Sequence, residues 1–417
     1  MALVTSNNLV TVHEAARTLE VSPDSIRRWH KKGLIKATTG SRGERLFSTD
    51  ELNRIVSKSK STESEWSVLK APKSRLQAIE LFCGAGGLAL GMHNAGINHQ
   101  LVVDNDKDSI KTIANNFSSW NPHREDVHDL DLTDYKGKID IMAGGFPCQA
   151  FSYAGKGLGF ADTRGTLFYE FSRLIDEVKP RLIIGENVRG LLNHDGGRTL
   201  STIVSELESI GYSVAYKILR AQFFDVPQKR ERLIIFGVKK DEDIYFPVEK
   251  DYTISLRAAL KGVPKSEGQK YSIYKKKIMD LIPEGGYWRD LPLALQKEYL
   301  AGSFELGGGK TGMARRLSWS EPSLTLTCNP AQKQTERCHP KETRPLTVRE
   351  YARIQTFPDN WEFAGSVSSQ YRQIGNAVPV NLGYHIGLTA RKILGHYPKG
   401  AESPAVLEKF EEELRLF

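Results

Sequence analysis

From Gln77 onward the chain repeats a short apolar run, a turn and an amphipathic stretch, and this alternation is the feature that most restricts its fold. Ala78-Ile79-Glu80-Leu81-Phe82, Leu101-Val102-Val103, residues 139–143 and Arg181-Leu182-Ile183-Ile184-Gly185 read as buried strands. Helical patterns over 88–95, 166–178 and 199–210 lie between them or follow, so the segment is expected to form βαβ units around a mostly parallel sheet. Ligands of such sheets bind beyond the carboxyl ends of the strands. Two loops fall there. Cys83-Gly84-Ala85-Gly86-Gly87 follows the first strand, and Asp104 ends the second, near the interval at which a nucleotide-binding unit places an acid for ribose hydroxyls. By itself this pairing suits a nicotinamide or flavin cofactor. The other loop, Gly144 to Ser152, holds Cys148 behind Pro147, after two glycines that permit a tight turn. A thiol presented in this way is a candidate nucleophile, and a cysteine buried as a small hydrophobe is the alternative. Glu186 closes a further strand and can face the same crevice, unless it merely caps the next turn. Gln228-Lys229-Arg230-Glu231-Arg232 precedes the run Leu233-Ile234-Ile235-Phe236, and its arginines suit phosphate or base-edge contacts.

The 417 residues suffice for two or three domains. Four cysteines without a CxxC spacing point to neither a zinc site nor a disulfide framework, so no metal is expected. No apolar stretch approaches a membrane span, and the first residues lack a signal-peptide core, which leads us to expect a cytoplasmic, nucleoid-associated protein without membrane contact. The net charge of +8 favours an anionic partner, and residues 1–60 hold 11 basic against 6 acidic side chains. Within that basic segment Thr11 can cap a first helix, Ser22-Pro23-Asp24 starts a second over 25–32, and Gly33 ends it. Leu34-Ile35 and Arg45-Leu46-Phe47 flank the basic tip Thr39-Gly40-Ser41-Arg42-Gly43 as a hairpin, and 50–56 reads as a third helix. The segment resembles the winged helix-turn-helix of the MerR family, which implies DNA contacts by Arg27 and Arg28 on the second helix and by Arg42 and Arg45 on the wing. A solvated basic face on a helical cap is the alternative. Residues 57–75 read as a Ser/Lys-rich linker, 239–343 as a loop-rich basic recognition region, and 402–417 as an amphipathic helix.

In order along the chain, Phe82-Cys83-Gly84-Ala85-Gly86-Gly87, Gly145-Phe146-Pro147-Cys148-Gln149, Glu186-Asn187-Val188, Gln228 to Arg232, Arg344-Pro345-Leu346-Thr347 with Arg349-Glu350, and Gly375-Asn376-Ala377-Val378-Pro379 resemble the motifs of the cytosine-5 DNA methyltransferases. The resemblance covers about residues 77 to 395 and implies an α/β, Rossmann-like S-adenosylmethionine-dependent methyltransferase sheet. It divides the chain into the winged helix-turn-helix (1–58), a linker (59–75), a catalytic and cofactor-binding domain (76–238), a smaller target recognition domain (239–343) and a C-terminal part that completes the catalytic domain (344–417). It implies Cys148 as the nucleophile, Glu186 as the group at ring N3 and the exocyclic amine, Arg232 at the flipped cytosine and Arg230 at the adjoining phosphate. For S-adenosylmethionine it implies Phe82, Gly84, Gly86, Asp104 on the ribose, Asn105 against the adenine, Asp126 on its amino group, Val127, Pro147, Asn376 and Ala377. Asn105 departs from the apolar or aromatic residue usual at that position. Gln149 and Ser152 are expected at the DNA. A monomer on duplex methylation sites and a cognate restriction endonuclease follow, with dimerisation through the N-terminal unit and autoregulation left open. Competing readings are a transcriptional regulator with an inactive methyltransferase domain, an RNA methyltransferase and an oxidoreductase.

Overall fold

The structure is a computed structural model that describes residues 9–18, 26–27, 29–30, 35–40, 43–52, 65–147, 167–239, 242–305 and 312–411. The N-terminal unit contains β1 (Leu9–Thr11), a helix Val12–Thr18, β2 (Ala37–Thr39) and β3 (Arg45–Ser48). The helix is started by a reciprocal cap in which Thr11 Oγ1 accepts from the Glu14 amide at 3.3 Å and Glu14 Oε2 accepts from the Thr11 amide at 2.8 Å. β2 and β3 form an antiparallel hairpin whose first strand is Ala37–Thr39, later in the chain than the expected arm at Leu34-Ile35, and β1, a strand that the sequence does not announce, joins β3 on its other edge. Ala15, Ala16, Ile26, Ile35, Phe47 and Leu52 make its small core.

The large domain is built on β4 (Gln77–Leu81), β5 (Asn98–Asp104), β6 (Pro122–Arg124), β7 (Ile141–Gly144), β8 (Leu182–Val188), β9 (Tyr212–Arg220), a short β10 (Gln228–Lys229) and β11 (Glu231–Lys239). All but β10 join one sheet in the order β6-β5-β4-β7-β8-β11-β9. β6, β5, β4, β7 and β8 run parallel, and β11 lies antiparallel to both of its neighbours. Residues such as Ile79, Met142, Ile183 and Ile235 are fully covered, each burial contributing roughly 1.5–3 kcal/mol. The strand order reverses between β5 and β7 on either side of β4, so the crevice of an open α/β sheet opens beyond the ends of β4 and β7.

The last part of the chain returns to this sheet. The helix Val380–Ile393 packs on the helix Gly87–Asn94 so closely that a Cβ at Gly91 would come within 2.4 Å of the Val380 carbonyl. Between them in sequence, residues 278–338 supply a separate core of Ile278, Met279, Trp288, Tyr299, Met313 and Cys338. β10 pairs in parallel with β13 (Ser323–Leu324) of that region, after β12 (Tyr245–Pro247). Two expectations are corrected. Residues 65–75 are no linker: Trp66 Nε1 donates to the Arg353 carbonyl at 2.9 Å, the Leu69 amide donates to Asn381 Oδ1 at 3.1 Å, and Leu69 is buried. The described part of 402–417 is not helical, because β14 (Leu407–Lys409) pairs antiparallel with β12.

Candidate active site

β4 gives way at Phe82, the residue after its last, whose φ of 55° is unusual for a residue with a side chain. Such strain is concentrated at functional sites, and here it swings the chain into the glycine turn. Gly84 also has positive φ, and a Cβ added to it would meet nothing within 4 Å, so the turn presents bare backbone to the cleft. The Gly84 amide donates to Asp104 Oδ2 at 2.8 Å and the Asp106 amide donates to Asp104 Oδ1 at 2.8 Å. Burial pushes the Asp104 carboxyl up from its ordinary value, against the pull of these donors.

The other wall rises from β7 and β8. Their parallel pairing ends at Gly144 opposite Gly185, so Gly145-Phe146-Pro147 leaves the sheet beside Glu186, which stays in β8. Gly145 is needed there, because a Cβ would sit 3.1 Å from Glu186 Oε2. Asn187 Nδ2 donates to the Phe146 carbonyl at 2.9 Å and so pins the loop that leads to Cys148. The β8–β11 register sets Ile234 opposite Glu186, which places Arg232 diagonally across on the same face. Arg232 Nε lies 2.6 Å from Glu186 Oε1, both side chains being almost covered.

These walls enclose a cleft of about 800 Å³. It is lined by Phe82, Gly84, Asp104, Asn105, Asp126, Val127, Pro147, Glu186, Arg230, Arg232, Asn376 and Ala377. Gly86 is not among the lining residues; its α-carbon faces Ile113 and Trp361, and it shapes the turn from behind. Asp126 is exposed, and a hydrogen bond from His128 Nδ1 at 2.7 Å holds its carboxyl below the ordinary value. Cys148, Gln149, Ser152, Arg28 and Arg42 lie outside the described residues, while Arg27 and Arg45 are exposed on the N-terminal unit.

Arg230 differs from expectation. Its side chain is 2% exposed, with Nη1 donating to the Leu326 carbonyl at 3.1 Å and Nη2 to the Gly375 carbonyl at 2.9 Å and the Asn376 carbonyl at 3.4 Å. The guanidinium thus ties the segment at Leu326 to the end of the helix at Gly375-Asn376, leaving its terminal nitrogens committed to carbonyls and not available to a phosphate. Glu80, to which the sequence assigns no role, also lines the cleft. Its Oε2 lacks a hydrogen-bond partner and lies 3.7 Å from His99 Nε2. That spacing would suit an ion pair, but burial pushes the carboxyl well up and the imidazole down to about 3, which disfavours the charged form of each. Residues 325–328 and Arg372 also line the cleft, and no motif spacing marks them in advance.

Residues 76–392 match the model of the C-5 cytosine-specific DNA methylase family, and residues 10–57 that of the MerR HTH family regulatory protein. The chain is 50% identical over 398 residues to the Type II methyltransferase M.Eco47II of Escherichia coli, covering 92% of this chain and 95% of that protein. It is 51% identical over 328 residues to M.Sau96I of Staphylococcus aureus, covering 76% of this chain and 75% of that one. Among solved structures, a prophage-encoded DNA modification methyltransferase of E. coli matches with a TM-score of 0.57 at 27% identity, over 77% of this chain and 99% of that one. Spodoptera frugiperda DNMT2, at 16% identity and a TM-score of 0.55 over 76% and 99% of the two chains, shares the fold. With its parallel sheet, its glycine turn and its Glu186–Arg232 pair at one crevice, the chain belongs to the C-5 cytosine-specific DNA methylase family.

Proposed function

We propose that the protein transfers a methyl group from S-adenosylmethionine to carbon 5 of a cytosine in a specific duplex sequence, and that it protects host DNA beside a cognate restriction endonuclease. The observation that carries this reading is the Glu186–Arg232 pair at 2.6 Å beside the backbone that leads into Cys148. Carbon 5 of cytosine is a weak nucleophile, so a thiolate must first add at carbon 6, the role taken by Cys148. Glu186, held by Arg232, bonds ring N3 and the exocyclic amine and draws electron density out of the ring as the thiolate adds. After transfer, loss of the proton from carbon 5 and departure of the Cys148 thiolate restore the ring. A base stacked in a duplex cannot reach this cleft, so the cytosine must be flipped out.

The cleft fits the cofactor. Bare backbone at Gly84 and the Asp104 carboxyl suit a nucleoside sugar. Phe82, Asn376 and Ala377 would hold the remainder, and S-adenosylmethionine when bound supplies an electrophilic methyl group. The curated relatives named as Type II methyltransferases support the protective role. Labelled S-adenosylmethionine and unmethylated duplex DNA test the reading, with wild type and Cys148→Ser side by side. Cytosine is expected to be labelled by the wild type alone. Binding of DNA by both proteins with labelling by neither would instead favour a transcriptional regulator with an inert catalytic domain.

A further inference from the structure

The cleft is crowded with acids. Glu80, Asp104, Asp106, Glu125, Asp126 and Glu186 all line it, against three arginines among the described residues. Two of these are engaged, Arg230 with carbonyls and Arg232 with Glu186. The third, Arg372, has a side chain 51% exposed at the rim, where Nη2 lies 3.1 Å from Asp106 Oδ2 and 3.4 Å from Ser369 Oγ.

Its position follows from the helix Val367–Asn376. Arg372 and Asn376 are four residues apart and so share one face, and both line the cleft. The end of this helix is pressed against the glycine turn, since a Cβ at Gly87 would meet the Val378 carbonyl at 2.3 Å and the Ala377 Cβ at 3.0 Å. The helix is also bolted to its neighbour Lys107–Asn116: Thr112 Oγ1 lies 2.6 Å from Gln373 Oε1, and Ser369 Oγ 2.6 Å from Asp108 Oδ2. A fixed backbone therefore carries a half-exposed guanidinium at the cleft rim beside Asp106, whose amide shares the Asp104 carboxylate with the Gly84 amide of the glycine turn.

S-adenosylmethionine carries an α-carboxylate on its amino-acid end. In a cleft lined by carboxyl groups that anion needs a dedicated donor, and a guanidinium accepts it in a bidentate fork. We propose that Arg372 reads the carboxylate of the cofactor's amino-acid end, with Asp106 holding the guanidinium at the rim. This assignment rests on the S-adenosylmethionine reading above.

Equilibrium binding to the full chain tests the proposal with two ligands that differ in the group concerned: S-adenosylhomocysteine, which has the carboxylate, and 5′-methylthioadenosine, which lacks the amino-acid end. Arg372→Ala should weaken S-adenosylhomocysteine roughly tenfold or more and leave 5′-methylthioadenosine unchanged, with Arg372→Lys restoring part of the loss. Equal weakening of both ligands would overturn the proposal in favour of a packing role. Unchanged affinity for both, with weaker duplex binding, would overturn it in favour of a phosphate contact. If the wild type binds neither ligand, the cofactor reading itself fails, an outcome separable from the others because it does not depend on the variant.

Discussion

Two side chains at the end of β8 divide the work between them: Asn187 holds the loop that leads to Cys148, and Glu186 faces the cleft against Arg232. Removing one partner of a nearly covered ion pair strands the other charge, which is far costlier than never having had the pair. We therefore expect Arg232→Ala to lower kcat/KM for methyl transfer by roughly 100-fold, a loss of about 2.7 kcal/mol. Arg232→Lys should recover only part, since an ammonium cannot reproduce the guanidinium fork; full activity in the lysine variant would show that charge alone suffices. Glu186 and Arg232 are legible in the sequence because the chemistry demands their residue types next to apolar strands. Arg230 is misread although it stands two positions from Arg232, because alternation along the chain says nothing about which carbonyls arrive from Leu326 and Gly375, 96 and 145 residues away. Glu80 is passed over for the converse reason: inside an apolar strand it looks like an interruption, and only the fold shows that it lines the cleft.

At the scale of elements, the parallel strands and the helices between them can be read from periodicity, whereas the straps that close the domain cannot. Residues 65–75 have linker composition, yet they are held by Asn381 and Arg353, partners about 300 residues away, so their order is tertiary in origin. The C-terminal segment alternates charge in a way that suits a helix, and pairing with β12 overrides that local preference. Asp225 anchors this closure. Its Oδ2 accepts from His385 Nε2 at 2.8 Å, from Lys250 Nζ at 2.5 Å and from Ser403 Oγ at 3.0 Å, while Oδ1 accepts from Tyr252 at 2.5 Å. Burial pushes the Asp225 carboxyl up, but the His385 hydrogen bond and the charge of Lys250 outweigh it and hold the group well below the ordinary range. A carboxyl depressed on folding stabilises above its unfolded value of about 4, and that contribution is lost as pH falls toward the folded value. Asp225→Asn is thus expected to cost about 3 kcal/mol at pH 7, seen as a lower Tm, and the gap from wild type should narrow below about pH 4. A gap that stays constant on acidification would show that the network acts through packing alone.

At the scale of the whole molecule, the chain joins a methylase domain to a second unit of DNA-binding type, and its charge is divided unevenly between them. Residues 1–60 carry +5 of the net +8, leaving +3 for the rest. Binding of DNA by a basic module releases counterions, so its share of affinity falls steeply with salt. The wing formed by β2 and β3, with Arg45 exposed on it, and Arg27 exposed on the neighbouring helical turn are placed to supply that share. The methylase cleft, by contrast, draws its lining among the described residues from the methylase part of the chain, beginning at Glu80 on β4 and closing at Val378. Removal of residues 1–60 while keeping the docked strap from Trp66 should therefore leave kcat on a short duplex substrate within about twofold of wild type, since surface changes away from a site cost little. The same truncation should abolish retention of a DNA fragment from the protein's own promoter and flatten the salt dependence of binding. Promoter binding unchanged by the truncation would rule out operator reading by this unit. Loss of kcat on the short duplex would show instead that the N-terminal unit takes part in presenting the target, making the two modules one reading head and not two.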